Sequence, residues 1–223
     1  MRMSAADKRR ITADWQRELP GFAAWRPLRL LRRLGPVVQG VTLDLSSSGT
    51  DYLPTAHVHA LVRPAKVITM TLATPLRTDK GVQDRIKLRH HDPSTVAEAA
   101  ARLRAQSPLP LDQFPTLAEL MAAYEQEIAA RVRPGVPMAV TEIEDRVLIP
   151  AAVGRTDLVA TGLTLARSVS ADWPPGSLAR WGRSDTWLDD LAATAADPAA
   201  LHQTIADEVA AHKLEHLPTR DLA

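Results

Sequence analysis

The stretch Val37-Val38-Gln39-Gly40-Val41-Thr42-Leu43-Asp44-Leu45, followed by His57-Val58-His59-Ala60-Leu61-Val62, decides the fold class of this chain. In the first segment Val37, Gln39, Val41, Leu43 and Leu45 alternate with Val38, Gly40, Thr42, Asp44 and Ser46. A period of two sends successive side chains to opposite faces, the pattern of a strand with one apolar side. In the second segment Val58, Ala60 and Val62 oppose His57, His59 and Leu61. Lys66 to Ala73, rich in β-branched residues, and Val82 to Arg89, which alternates, predict two more strands. The connections are too short for parallel crossovers, so the four strands are expected to form an antiparallel meander.

Helices are predicted on both sides of this sheet. Upstream, Ser4 to Leu19 carries Ile11, Trp15 and Leu19 on one stripe behind a capping serine, and Pro20-Gly21 ends it. A second short helix is predicted from Pro27 to Leu34, with Leu28, Leu31 and Leu34 sharing a face. Downstream of His91 the pattern is helical throughout. Helices are predicted from Asp92 to Gln106, from Thr116 to Arg131, and near 141–153, 156–169, 184–196 and 198–216, the last capped by Asp197 ahead of Pro198. The expected class is therefore α+β: N-terminal helices, a four-stranded mostly antiparallel sheet, and a helical C-terminal half packed on one sheet face. Val41, Leu43, Val58, Val62, Ile68, Leu72 and Ile86 are expected in the core. Pro134-Gly135-Val136-Pro137 marks the expected boundary between an α+β region (1–133) and a helical region (138–223), the two packed as one globular unit.

Composition narrows the function classes. With 223 residues the chain can bury a sizeable core, and with no cysteine it has no disulfide, thiolate metal site or thiol nucleophile. No apolar run reaches 18 residues, and Arg2, Lys8, Arg9 and Arg10 have no apolar stretch behind them. No membrane association is expected, and a cytoplasmic location is. Arginine outnumbers lysine 22 to 5, a bias that fits a GC-rich, actinobacterial-type composition better than any arginine chemistry. The net charge of +1 hides an asymmetry: residues 1–36 carry a net +6 and residues 184–223 a net −6. Such polarity can steer a charged partner to one end.

Three constellations have a readable geometry. His57 and His59, at i and i+2 on a strand, point the same way and could share a divalent metal with Asp44, His90, His91 or Asp92. That metal is the one cofactor the sequence offers; the competing reading is a polar sheet face. Arg85, Lys87 and Arg89 alternate along the fourth predicted strand as a basic row that suits an acidic protein surface. No aromatic residues interleave with them, which argues against single-stranded nucleic acid. His212 and His216, at i and i+4 near the end of the last helix, are expected to complement its dipole or edge a packing face. Two other groups are read structurally: Glu142, Glu144 and Asp145 as a favourable helix start, and Trp173, Trp181 and Trp187 as packing.

Phosphate-loop, dinucleotide-binding and nucleophile-elbow motifs are absent. The sequence thus points first to a non-catalytic cytoplasmic module that binds a protein partner, of an immunity-like or accessory kind. A metal-dependent, hydrolase-type enzyme using the His-x-His site is the alternative. Nucleic-acid binding through the basic N-terminal helices is a third reading.

Overall fold

The computed structural model describes residues 3–222; Arg2 and the side chain of Trp181 fall outside what is described. The chain is α+β, with seven α-helices and a mostly antiparallel sheet among the described residues. No helix among them is long and apolar enough to cross a membrane. It divides into two compact units: one of residues 3–59, 68–115 and 213–221, the other of 60–67, 116–212 and 222. The middle segment of the first unit ends at Pro115, and Pro134–Pro137 lies inside the second unit.

The first unit starts with α1 (Ala5–Glu18), fixed by a capping box in which Ser4 Oγ accepts from the Asp7 N–H and Asp7 accepts from the Ser4 N–H. Its sheet runs β1 (Ala23–Arg26), β2 (Arg29–Leu34), β3 (Val37–Leu45), β4 (Asp51–Ala60) and β5 (Thr71–Pro75) in that spatial order. Two short strands flank this path: β6 (Ile86–Lys87) pairs with β4, and β7 (Thr219–Arg220) runs parallel to β2. α2 (Pro93–Gln106), capped by Asp92, lies beside α1. Ile11, Trp15, Leu30, Val41, Leu43, Tyr52, Val96 and Leu103 share one core.

Four expectations need correcting. Pro27–Leu34 is not a helix. Leu28 takes a left-handed φ of 67°, turning the chain between paired Arg26 and Arg29, and β2 follows. Leu30, Leu31, Arg32 and Leu34 are all buried, and a strand covered on both faces loses period-two alternation. Leucines at 28, 31 and 34 then imitate a helical stripe. The third strand begins at Thr71 rather than Lys66, leaving Ile68 only half-buried, while the other six expected core residues are buried. The fourth strand shrinks to Ile86–Lys87, because Leu88–His90 turns into a short 3-10 helix. The last helix stops at His212, where Lys213 adopts a φ of 58°, so His216 lies beyond it.

The second unit is helical: α3 (Leu117–Arg131), α4 (Val140–Ala152), α5 (Thr156–Ser170), α6 (Trp187–Ala195) and α7 (Pro198–His212). α4 is its axis, touched by the other four helices and buried at every residue except Thr141. Gly162 of α5 lets that helix close on α4; a Cβ there would lie 3.0 Å from Val147 Cγ2 and 3.2 Å from the Arg146 carbonyl.

Candidate functional site

In the first unit a groove of about 410 Å³ is lined by Asp7 and Arg10 of α1, Thr50 and Asp51 at the start of β4, and Lys87, Leu88 and Arg89. Its carboxylates are already engaged. Asp7 holds the α1 cap and stands 3.7 Å from Arg10, and the Ser4 hydroxyl and N–H keep its carboxyl below the usual range. Asp51 pairs with Arg85 at 3.2 Å. Lys87 makes no ion pair among the described residues, and Arg89 donates only to His90 Nε2, at 3.0 Å. Of the basic row, Lys87 and Arg89 therefore line the groove, whereas Arg85 is turned to Asp51 and the Asp44 carbonyl.

A buried relay links two of the elements that line this groove, α1 and β4, to His91. Trp15 Nε1 donates to the Tyr52 hydroxyl at 3.1 Å, Tyr52 meets His91 Nδ1 at 2.8 Å, and His91 Nε2 meets Asp14 at 2.8 Å. The proton order follows from the ends. Asp14 accepts, so His91 carries its proton on Nε2, and its bare Nδ1 takes the Tyr52 hydroxyl proton. Burial would raise the Asp14 carboxyl, but His91 and Arg17 outweigh it and hold it below its usual range. Burial dominates at Tyr52 and raises its pKa. The relay joins α1 and β4, which carry groove residues, to His91, which follows the 3-10 turn that carries Leu88 and Arg89. Tyr52 and the His91 side chain are fully closed to solvent, so the relay positions rather than reacts.

The histidines that the sequence places on one strand face are both buried, each on a hydroxyl. His57 Nε2 lies 3.0 Å from Thr42 Oγ1, its Nδ1 has no hydrogen-bond partner, and Gly40 makes room for the ring. Desolvation, helped by Arg29 and His59, pulls the His57 pKa down to about 3. His59 Nδ1 accepts from the Thr69 N–H at 3.2 Å and lies 2.8 Å from its hydroxyl, which puts the ring proton on Nε2. Metal-bound imidazoles instead donate their second nitrogen's proton. Asp44 is paired with Arg29 at 3.2 Å, and His90 is exposed beside Arg89. Among the described residues, none of Asp44, His57, His90 and His91 joins two other histidine or carboxylate ligands within reach of one ion.

The arginines of the basic N-terminal stretch are also dispersed. Arg29 is paired, and Arg32 is fully buried in β2. Its guanidinium is stacked between Phe22 at 4.3 Å and Phe114 at 4.6 Å and bonded to Gln39 and the Pro110 carbonyl. Desolvation lowers the Arg32 pKa to about 10. Arg32 thereby ties the proline-rich connector before Pro115 to the sheet.

In the second unit the acidic residues at the start of α4 form a buried network. Glu144 accepts from Arg183 at 3.1 and 3.0 Å, from Arg63 at 3.1 Å and from Trp187 Nε1 at 2.8 Å. Asp145 accepts from Arg63 and, at 3.0 Å, from the Tyr124 hydroxyl. Burial raises both carboxyls; at Glu144 Arg183 and Arg63 win and lower it, while Asp145 remains above its usual range. Glu142 pairs with Arg131, and Arg146 with Glu125 at 2.6 Å. Trp173 and Trp187 stack at 5.5 Å. His212 donates to the Ala65 carbonyl at 3.0 Å and lies 3.2 Å from Glu208, whose carboxylate accepts from the Ala65 N–H. Compared with family models, curated proteins and solved structures, the chain matches none.

Proposed function

We propose that this chain is a non-catalytic binding protein, and that the groove of its first unit receives an acidic segment of a protein partner. One observation carries the reading. Lys87, Arg10 and Arg89 converge on one concavity of about 410 Å³ whose own carboxylates are already spoken for. Lys87 and Arg89 have no carboxylate partner among the described residues, so an incoming carboxylate can pair with either without breaking an existing ion pair, and such pairing favours fast, salt-sensitive association. Leu88 supplies an apolar floor beside them. The groove's cations come from three separate elements rather than from a helical stripe. That suits an extended acidic segment better than a nucleic-acid duplex, whose recognition rests on a larger basic excess.

The experiment is cross-linking of the chain in its own cell, with the cross-linked lysines mapped on the partner and on this protein. A partner whose linked segment is rich in Asp and Glu, joined through Lys87, supports the reading. Loss of that partner is expected in the Lys87→Glu, Arg89→Glu double variant. Links that bypass Lys87 and survive the double variant refute it.

A further inference from the structure

We propose that the second unit holds a separate site, beside α4 and α6, for a free α-amino acid with an apolar side chain. The cavity there measures about 420 Å³ and is lined by Arg63, Arg183, Trp187, Leu148, Leu191 and Asp190, among others. That volume lies within the range of about 300–1,000 Å³ typical of small-ligand pockets.

Three chemistries meet in it. At one end stand two guanidinium groups, each about a quarter exposed at the side chain. They are pinned there. Arg183 grips Glu144 through Nε and Nη2, and Arg63 spans Glu144 and Asp145 through Nη1 and Nη2. Each Nη of Arg63 carries a second hydrogen that its carboxylate partner does not use. A ligand carboxylate at this end finds donors whose orientation is already fixed, which lowers the entropy lost on binding. Glu144 also lines the cavity but is taken up by Arg63 and Arg183; Asp190, exposed at the start of α6, supplies the carboxylate that no arginine holds. Its Oδ2 accepts from Thr186 Oγ1 at 3.2 Å and from Ser184 Oγ, which orients the carboxylate and leaves Oδ1 for an ammonium group. Leu148, Leu191 and the Trp187 ring form an apolar wall, and all three are buried.

Asp190 disfavours a simple anion, and a simple amine leaves the unused Nη hydrogens of Arg63 without an acceptor. A molecule bearing both charges and an apolar body satisfies all three surfaces at once.

The test is isothermal titration calorimetry of the full chain with L-leucine, 4-methylpentanoate and isopentylamine, which share one body but carry both charges, only the carboxylate, or only the ammonium. Saturable binding of L-leucine is expected, with about tenfold or weaker affinity for each single-charge analogue. Asp190→Asn should weaken L-leucine by about tenfold, and Thr194→Arg, which fills the cavity from an exposed position, should abolish binding. Both positions are exposed, and unchanged unfolding midpoints will show that the variants fold. No saturable heat with L-leucine or L-phenylalanine overturns the proposal. So does equal binding of 4-methylpentanoate, or L-leucine affinity unchanged in Thr194→Arg.

Discussion

Acidification should destabilise the first unit through one residue, His57. His57 is 3 % exposed, its Nδ1 lacks a hydrogen-bond partner, and its pKa in the fold is about 3 against 6.5 in the open chain. Between those values the unfolded chain binds a proton that the folded chain refuses. Stability contributed by neutral His57 is therefore complete above pH 6.5 and drains away as pH falls toward 3. The slope is about 1.4 kcal/mol for each pH unit well inside that window, or about 2 kcal/mol by pH 5. His57→Gln is the informative variant, because a glutamine amide reaches the position of Nε2, can still hydrogen-bond Thr42 Oγ1 and does not titrate. Urea unfolding at stepped pH, followed by tryptophan fluorescence since Trp15 lies in the same unit, gives the stability of each protein. The gap between wild type and variant should change by roughly 2 kcal/mol from pH 7 to pH 5, in favour of the variant. Parallel pH profiles would refute the reasoning, since other titrating groups are common to both proteins.

Other outcomes follow from the same contacts. Gly40→Ala would put a Cβ 2.5 Å from His57 Nε2 and 2.6 Å from Leu31 Cδ2, so unfolding free energy should drop by about 1–3 kcal/mol; adding His57→Ala should recover part of it in a double-mutant cycle. Asp145→Leu leaves Arg63 without one of its two carboxylates, and chemical denaturation should report a loss of about 3–5 kcal/mol. Tyr52→Phe strands Trp15 Nε1 and His91 Nδ1, costing about 1–3 kcal/mol by the same assay. Nitrogen-15 spectra of the wild type should show the Nε2–H tautomer of His91, and the Nδ1–H tautomer would contradict the relay.

The helices of this protein are legible because their signals are local. Ser4 with Asp7, Asp92 with Pro93, and Thr116 with Glu119 announce their helices within one turn, and each makes the cap its spacing implies. The strands β3 and β4 are legible from alternation. β2 is not, because burial on both faces removes that alternation and leaves leucines at a spacing of three. β1 and β7 are too short to carry a period. The histidines were readable as strand neighbours, but their burial depends on Gly40, Thr42 and Thr69, which only the tertiary fold brings to them.

The buried networks were hidden for a related reason. Val147, Leu148 and Ile149 follow Glu144, Asp145 and Arg146 as three consecutive apolar residues, which a helix with one solvated face cannot bury together. That much was a usable signal. Their partners were not: Arg63 lies 82 positions from Asp145, and Arg183 lies 39 from Glu144. Asp14, Tyr52 and His91 likewise share no local pattern, being 39 and 77 residues apart along their two bonds. The groove was half legible. Lys87 and Arg89 stood out as a basic row, but Arg10 joins them only through the docking of α1.

Fluorescence anisotropy of a labelled oligoglutamate peptide, titrated with wild type and with the Lys87→Glu, Arg89→Glu variant across a salt series, tests the acidic-partner groove most directly. Saturable wild-type binding that weakens steadily with salt, and that is at least about tenfold weaker in the variant, is the predicted result. Equal affinity in the two proteins, or no saturable binding by the wild type at low salt, would contradict it.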